Sequence, residues 1–511
     1  MSDSLTSWLA IFSLLWVLTR IIRKPSQHPY PPSPKRTWPI IGNALQIPFT
    51  RPWLTFADWG RAQDNEIMHL SALGQHIIIL NDAQDVVELL EKRSATYSDR
   101  PRMPLLEQMG SFNSFNAGIL PYGDLWRQHR KTFQQGFRKE VVGRYHTLVT
   151  DKARNMLQRI ISQPEEFKEH YEVFAGSIIL SIMYGYEMDS TKDPVFQAAK
   201  RAITLSNPEA LLASLAVSTI PVILNVPKWF PGGGFHDLLD EFNKALAVMV
   251  DIPYNMVKGR MQDGAQEKPS FVQEMLERQT ERGLTENDVL KNVAATGLAA
   301  GVDTINCVML NLTLALALFP EVQERARKDI SLAIGDRLPT LEDKLTIPYI
   351  EAVCLELHRW APAVPGGLPH ASIRDDIYKG YLIPKGSIMI PNIWGMVRNP
   401  DIYPEPDQFR PERFLNADGT LSDDNRCWTF GFGRRVCAGR HLASDAFWLA
   451  TAYMLTALNI SDPIDPTTGV KITPANVYFT NELISHPQPY TCTIKPINGA
   501  SDLGEGSSVN N

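Results

Sequence analysis

The stretch FGFGRRVCAGR, residues 430–440, places a single cysteine, Cys437, among three glycines and three arginines. A cysteine that only packs prefers apolar neighbours, and a disulfide cysteine needs a partner. Cationic side chains and open backbone N–H groups instead stabilise negative sulfur. The stretch therefore predicts a thiolate that serves either as a nucleophile or as a metal ligand.

The neighbours of Cys437 distinguish these two roles. A nucleophile needs a nearby base, and only His441 is close in sequence. Small residues such as Gly431, Gly433 and Gly439 let the backbone approach a flat macrocycle, and loop N–H groups can tune the sulfur. An arginine can neutralise a haem propionate. The pattern favours an axial haem ligand.

The bulk properties exclude several other classes. The chain has 511 residues, a net charge of −6 and no block of basic residues, so we expect no nucleic-acid partner. The cysteines lack CxxC spacing, which argues against zinc, and their odd count and scatter indicate a reducing compartment. Four of them are expected to be small buried hydrophobic residues: Cys307, Cys354, Cys427 and Cys492.

The N-terminus, residues 1–24, is predicted to be a transmembrane anchor. Its apolar core, Trp8–Leu18, is short for a span, but Leu5–Ile22, which includes Arg20, approaches the roughly 20 residues that a bilayer requires. Arg23 and Lys24 follow it, so the body should be cytosolic. A cleaved signal peptide is the alternative, but its basic n-region and small-residue cleavage site are missing. We expect a single-pass protein of the endoplasmic reticulum membrane.

The remainder of the chain divides into three predicted parts: a proline-rich hinge at 25–40, a catalytic domain at 41–496 and a disordered tail at 497–511. The apolar segment 210–234 is either a further membrane contact or buried core.

The pattern of the body is mainly helical, with small β-sheets. Two β-hairpins are predicted, one over 69–81 turning near Gly74 and one over 378–392 turning at 384–386. A helix of about 30 residues is predicted from a capping box at Thr285 and Asp288 to Phe319.

This long helix is apolar nearly all round, which also suits a second membrane span. Four polar residues in it would be costly in lipid: Asn292, Asp303, Asn306 and Asn311. They favour the buried centre of a large α-helical protein.

The sequence FGFGRRVCAG resembles the haem-binding signature of the cytochrome P450 family. Its motif positions are held by Phe430, Gly433, Arg435, Cys437 and Gly439. The resemblance extends from the proline hinge to about Pro496. It implies a mainly α cytochrome P450 fold with a long central helix over the haem, and Cys437 as the axial ligand of the iron of haem b.

Further motifs of that family occur in the same order. In ELHR and PERF, Glu356, Arg359 and Arg413 would lock together and brace the haem side as a structural core. On WRQHR, Trp126 and Arg130 would contact a haem propionate.

His370 lies where the family often places another propionate-binding group; the alternative is a solvent-facing loop histidine.

The motif AGVDT, residues 300–304, falls near the middle of the long helix. By the resemblance, Ala300 and Gly301 leave room for O2, and the acid and alcohol of Asp303 and Thr304 supply protons where water is scarce. A frequent second threonine is Ile305 here, which would change hydration of the site.

The resemblance implies a haem-thiolate monooxygenase that inserts one oxygen atom from O2 into a lipophilic small molecule: a terpenoid, steroid, polyketide or aromatic compound. Its phrasing is most similar to fungal microsomal members, including those of secondary metabolism. No GxGxxG fingerprint follows a strand, so electrons would come from NADPH through a partner, NADPH–cytochrome P450 reductase.

Other functions stay open at this point. A hydroperoxide isomerase or dehydratase would keep the haem without activating O2, and a haem sensor would not turn over. The pair Asp303 and Thr304 disfavours the first, and the pair together with the anchor disfavours the second. A structural membrane protein is a third alternative. Two sequons, at Asn311 and Asn459, are predicted to be unmodified in a cytosolic body.

Overall fold

A computed structural model of the chain describes residues 28–39, 41–103, 115–205, 226–229, 235–264, 269–283, 288–423 and 426–497. The predicted anchor at 1–24, most of 210–234, the capping residue Thr285 and nearly all of the predicted tail lie outside these described residues.

The described body is mainly helical with small sheets, as predicted. Its α-helices are α1 Pro52–Gln63, α2 Ala83–Val86, α3 Ser94–Tyr97, α4 Asp124–Phe137, α5 Lys139–Val142, α6 His146–Ser162, α7 Phe167–Tyr184, α8 Pro194–Leu205, α9 Phe235–Gln262, α10 Phe271–Glu281, α11 Asp288–Leu318, α12 Pro320–Ile334, α13 Pro348–Trp360, α14 Ile393–Val397 and α15 Arg440–Ala457. A π-helical segment, Val87–Lys92, continues α2.

The central helix α11 runs for 31 residues and organises the core. It ends at Leu318, shortly before Pro320 opens α12 at a first-turn position where its missing N–H costs nothing. Among the described residues it alone is long and apolar enough to cross a membrane, but 72% of its apolar window is buried inside the protein. This burial, together with the packing of α11 against α7, supports the prediction that the helix forms the buried centre of the protein and is not a membrane span.

Polar groups on α11 find partners within the protein. Asn311 is fully buried, and its Nδ2 donates to the carbonyl of Ala361 at 3.3 Å. Thr313 Oγ1 lies 2.7 Å from the hydroxyl of Tyr171 on α7. These contacts remove the cost of burying the helix's polar side chains. The burial of Asn311 also keeps that sequon from any modifying enzyme in the folded protein, whereas Asn459 is exposed.

In the described part of the chain, eight strands form three sheets: β1 Ile67–Ala72, β2 Gln75–Leu80, β3 His370–Ala371, β4 Asp376–Tyr378, β5 Tyr381–Ile383, β6 Ile388–Pro391, β7 Leu458–Ile464 and β8 Thr491–Pro496. The largest sheet has the order β1-β2-β6-β3. β1 and β2 pair antiparallel, with Ile67 opposite Leu80, and form the predicted first hairpin.

The second predicted hairpin is wrong in its turn. The chain reverses at Lys379 and Gly380, between β4 and β5, and both residues have positive φ. The predicted turn at 384–386 instead leads into β6, which pairs with β2 in parallel and with β3 antiparallel. The sequence of a short apolar strand does not determine which strand it pairs with, so the local pattern alone could not predict whether 388–391 pairs with β5 or joins the larger sheet.

The described part of the proline-rich segment lies against the body. The carbonyl of Pro32 accepts from the backbone N–H of His69 at 3.0 Å, and that of Pro29 accepts from Leu382 at 2.8 Å. Tyr30 stacks on the His69 ring at 4.8 Å. These bonds tie the segment to β1 and β5.

Candidate functional site

The loop that carries Cys437 is shaped by two short 3-10 turns, Trp428–Phe430 and Gly433–Arg435. Gly433 has φ +52°, and a Cβ there would meet the carbonyl oxygen of Leu90 at 2.3 Å. Only glycine satisfies both constraints. The backbone N–H of Cys437 donates to the carbonyl of Phe430 at 2.7 Å, which closes the loop.

The Cys437 side chain lies at the start of α15. It is accessible to solvent, yet protein atoms surround it densely, as expected on the floor of an internal cleft. A Cβ on Gly439 would meet no protein atom within 4 Å. Nothing in the polypeptide itself therefore demands glycine at that position, and space remains for a non-protein group.

The electrostatics of Cys437 differ from the expectation of a thiolate stabilised by its loop. Burial raises the pKa of the Cys437 thiol, although the backbone amide of Gly439 and the charges of Arg130 and Arg440 oppose it. The protein alone thus favours the thiol, because desolvation outweighs these groups. A metal ion bound to the sulfur would reverse this balance, since a coordinating thiol is deprotonated.

One face of the central helix is accessible in the middle of an otherwise buried element. Ala300 is exposed, and Gly297, Gly301 and Thr304 are half-buried. These positions follow i, i+3, i+4 and i+7 spacing, so they share one face. Helix α4 carries Arg130, whose charge acts on Cys437, and it packs against the central helix. The cleft at Cys437 is therefore bordered by α4 and by the central helix.

Gly301 also has a packing reason. A Cβ at this position would meet the Cγ1 atom of Ile179 on α7 at 2.5 Å. The Thr304 hydroxyl donates to the carbonyl of Ala300 at 2.7 Å, within the same helix. The small face, made of Gly297, Ala300, Gly301 and Thr304, therefore permits close packing against α7 and leaves the cleft open at Ala300.

A group of buried cations lies beside this cleft. The Arg435 guanidinium stacks over the ring of Trp126 at 4.5 Å, and its Nε donates to the carbonyl of Ser98 at 2.8 Å. Arg100 is buried and donates from Nε to Gly118 at 2.7 Å. His370 Nδ1 lies 2.7 Å from the carbonyl of Tyr97.

Among the described residues, none of Arg100, Arg130, Arg435 and His370 forms an ion pair with a carboxylate. Burial holds the pKa of His370 well below its ordinary value, so the three arginines carry the positive charge of this group. Burial lowers the pKa of Arg435 to about 10 and that of Arg100 well below its ordinary range, although the nearby charge of Asp99 opposes both shifts. Such buried charges call for an anion.

The cluster fits the two carboxylates of a haem. Arg435, Trp126, Arg130 and His370 are predicted site residues that the structure places together, and His370 is buried rather than solvent-facing. Arg100 was missed by sequence reasoning, because an arginine in a short DRPR run carries no local signal of its burial.

The structural trio also comes together. Glu356 is fully buried and accepts from Arg359 Nε at 2.7 Å and from Arg413 Nε at 3.3 Å. The neighbouring helix residue His358 contacts the ring of Phe430 at 5.5 Å between centroids. Helix α13 thereby connects the trio to the cysteine loop.

Asp303 has a partner that the sequence did not indicate. Its Oδ1 lies 3.1 Å from Nε2 of His486, on a loop 183 residues away. Asp303 and His486 both line a pocket of about 350 Å³. The neighbouring Thr304 does not line it, so the acid and the alcohol lie on different sides of the helix.

Comparisons with known proteins agree with this site. A family model described as Cytochrome P450 matches residues 31–490. The chain is 36% identical over 491 residues to cytochrome P450 monooxygenase 208 of Postia placenta, covering 95% of this chain and 94% of the relative. It is 38% identical over 506 residues to cytochrome P450 monooxygenase claR of Ampulloclitocybe clavipes, covering 97% and 91%.

Proposed function

We propose that this chain, which belongs to the cytochrome P450 family and is a monooxygenase, oxidises a lipophilic small molecule with electrons from NADPH–cytochrome P450 reductase. The observation that carries the proposal is the Cys437 sulfur, which lies on the floor of an internal cleft beside buried, unpaired cations. A terpenoid, steroid, polyketide or aromatic substrate of fungal secondary metabolism suits the mainly apolar sequence of the central helix that borders this cleft.

The chain's own residues divide the work at this site. Cys437 would hold the iron of haem b, and Arg100, Arg130, Arg435, His370 and Trp126 would hold its carboxylates. When bound, thiolate-ligated haem activates O2 and delivers one of its atoms to the substrate, the other leaving as water.

The small face of the central helix then has two tasks. Ala300 is exposed and presents only a methyl group to the cleft, so substrate can approach closely. The Thr304 hydroxyl donates a hydrogen bond to the carbonyl of Ala300, and a lone pair of its oxygen stays available. It can accept a proton on this lone pair and release its own hydroxyl proton. Asp303, the residue before Thr304 in the sequence, is the carboxylic acid that could supply that proton.

A membrane location is part of the proposal. The apolar run Leu5–Ile22, with Arg23 and Lys24 after it, supports a single-pass anchor in the endoplasmic reticulum and a cytosolic body. That orientation gives a membrane-bound reductase and a lipophilic substrate access to the same protein. The pair Asp303 and Thr304 favours O2 activation over hydroperoxide isomerisation.

The experiment begins with the absorption spectrum of the dithionite-reduced protein under carbon monoxide, beside Cys437→Ala. A Soret band at the long wavelength typical of thiolate ligation, lost in the variant, is expected. Purified reductase, NADPH and a panel of terpenoids, steroids, polyketides and aromatics then test turnover by product mass. A histidine-type band in well-folded protein would overturn the ligand, and substrate-independent NADPH consumption across the whole panel would overturn the substrate class.

A further inference from the structure

The ion pair between Asp303 and His486 is built into the fold. The backbone N–H of His486 donates to Thr480 Oγ1 at 3.1 Å, and its carbonyl accepts from the backbone of Thr480 at 2.7 Å. Ser485 donates from its backbone to the carbonyl of Ala363 at 2.8 Å. This loop therefore fixes the imidazole against the central helix.

The pocket beside the pair has both charged and apolar walls, and its volume of about 350 Å³ is enough for several water molecules. Besides Asp303 and His486, its charged lining comes from Lys168 and Glu172 on α7, Lys200 on α8, and Glu482 on the loop that carries His486. Asn306, one turn from Asp303, also lines it, and its buried Oδ1 has no hydrogen-bond partner among the residues that the structure describes. Water satisfies buried polar groups of this kind.

These charged groups act on His486 together. Burial lowers the pKa of His486, but the hydrogen bond and charge of Asp303, with the charges of Glu482 and Glu172, raise it above its ordinary value overall. The buried thiol of Cys307 is the remaining titratable group near Asp303, and burial keeps its pKa well above the usual range. The surroundings of His486 therefore favour its protonated form, and its ring lies between the side chain of Asp303 and the pocket.

We infer that His486 is a positioning residue that holds Asp303 and passes protons to it from water in this pocket, so that the pocket, and not the substrate cleft, resupplies Thr304. The inference rests on the proposed function, since it assigns the route of the protons that the oxidation consumes. It places proton supply on a different side of the helix from the substrate cleft.

The steps conserve protons without redox change. The Nε2 proton of the imidazolium moves to Oδ1 of Asp303, which leaves a neutral imidazole and a carboxylic acid. Rotation of the Asp303 side chain then brings this acid to the hydroxyl of Thr304, which takes the proton and releases its own to the cleft. With Asp303 rotated away, a hydronium ion in the pocket gives a proton to the vacant Nε2 of His486, which restores the imidazolium, while Nδ1 keeps its proton throughout.

The first test measures the titration of His486 in the full chain and does not depend on turnover. Deuterium exchange at the C2 hydrogen of each histidine is followed by mass spectrometry across pH, in the wild type and in Asp303→Asn. The exchange midpoint of His486 should fall by about one pH unit or more in the variant, since an adjacent opposite charge shifts a pKa by that amount. An unchanged midpoint would mean that the pair does not form, and the inference would fall.

The second test asks whether His486 matters through its protons. His486→Gln keeps a hydrogen-bond donor to Asp303 but cannot relay. With a substrate from the panel, we expect at least tenfold less product per NADPH, more hydrogen peroxide, and a flattened pH profile with an altered solvent deuterium isotope effect. The thiolate-type carbon monoxide band should be kept, which separates a relay defect from misfolding.

The chain offers a matched control. His146 Nε2 lies 3.2 Å from Asp445 Oδ2, another histidine–aspartate pair, with the His146 side chain 41% exposed. His146→Gln should leave product yield, peroxide and pH profile as in the wild type. If His486→Gln behaves like this control, protons reach Thr304 by another route and the inference is refuted.

Discussion

Glu356→Gln tests the strongest electrostatic claim about this fold, because the substitution keeps the side-chain shape and removes one buried charge. The carboxylate is fully buried and accepts four hydrogen bonds. Arg359 gives two of them, at 2.7 and 2.9 Å. The other two come from the backbone of Arg410 at 2.7 Å and from Arg413 Nε at 3.3 Å.

An amide cannot reproduce this arrangement. If its NH2 replaces Oε2, it meets the Arg359 Nε–H donor head-on. If it replaces Oε1, it meets three donors at once. Either way, Arg359 and Arg413, whose side chains are 2% and 8% exposed, lose their counter-charge. Breaking a buried pair in this way costs about 3–5 kcal/mol, whereas an exposed pair contributes roughly 0–1 kcal/mol.

The assay compares urea unfolding, followed by tryptophan fluorescence and by the thiolate-type carbon monoxide band, in Glu356→Gln and in Glu405→Gln. Glu405 pairs with Arg410 in the same segment, with side chains 64% and 45% exposed. The first variant should lose about 3 kcal/mol or fail to accumulate as haem protein, and the second should match the wild type. A Glu356→Gln protein within about 1 kcal/mol of the wild type would refute the argument.

Three further predictions concern the loop and the sheet. Cys437→Ser should fold yet lose the thiolate-type band, and a retained band would exclude Cys437 as ligand. Gly433→Ala should destabilise the loop by about 1–3 kcal/mol in urea unfolding, since its φ is +52° and its Cβ would meet Leu90, whereas Gly439→Ala meets no protein atom and should unfold like the wild type. Burial, and to a lesser extent the charge of His76, lowers the pKa of His69 to about 4 in the folded chain, so as the pH falls the unfolded chain takes up this proton at a higher pH than the folded chain does. The free energy of unfolding should therefore be unaffected by this residue above pH 6.5 and should decrease by at most about 3 kcal/mol between pH 6.5 and pH 4. In acid unfolding curves, His69→Gln should show a smaller decrease than the wild type.

Much of the site could be predicted where neighbouring residues determine it. The turns around Cys437 follow from glycines that alone permit positive φ, and the small face at Ala300 and Thr304 follows from helical spacing. The ELHR pair is one helical turn, so Glu356 and Arg359 had to lie on one face whatever the tertiary structure.

What the sequence determined by itself is therefore local: the cysteine loop, the first hairpin and the long apolar helix, each set by interactions within a few residues. The tertiary structure alone decided which strand β6 joins, that Arg100 is buried among the other cations, and that Asp303 meets His486 across 183 residues. These outcomes depend on how helices and loops distant in sequence pack together, and on the desolvation that packing imposes. The same desolvation raises the pKa of the Cys437 thiol although its neighbours in the chain are basic, and a coordinated metal ion would be needed to favour the thiolate.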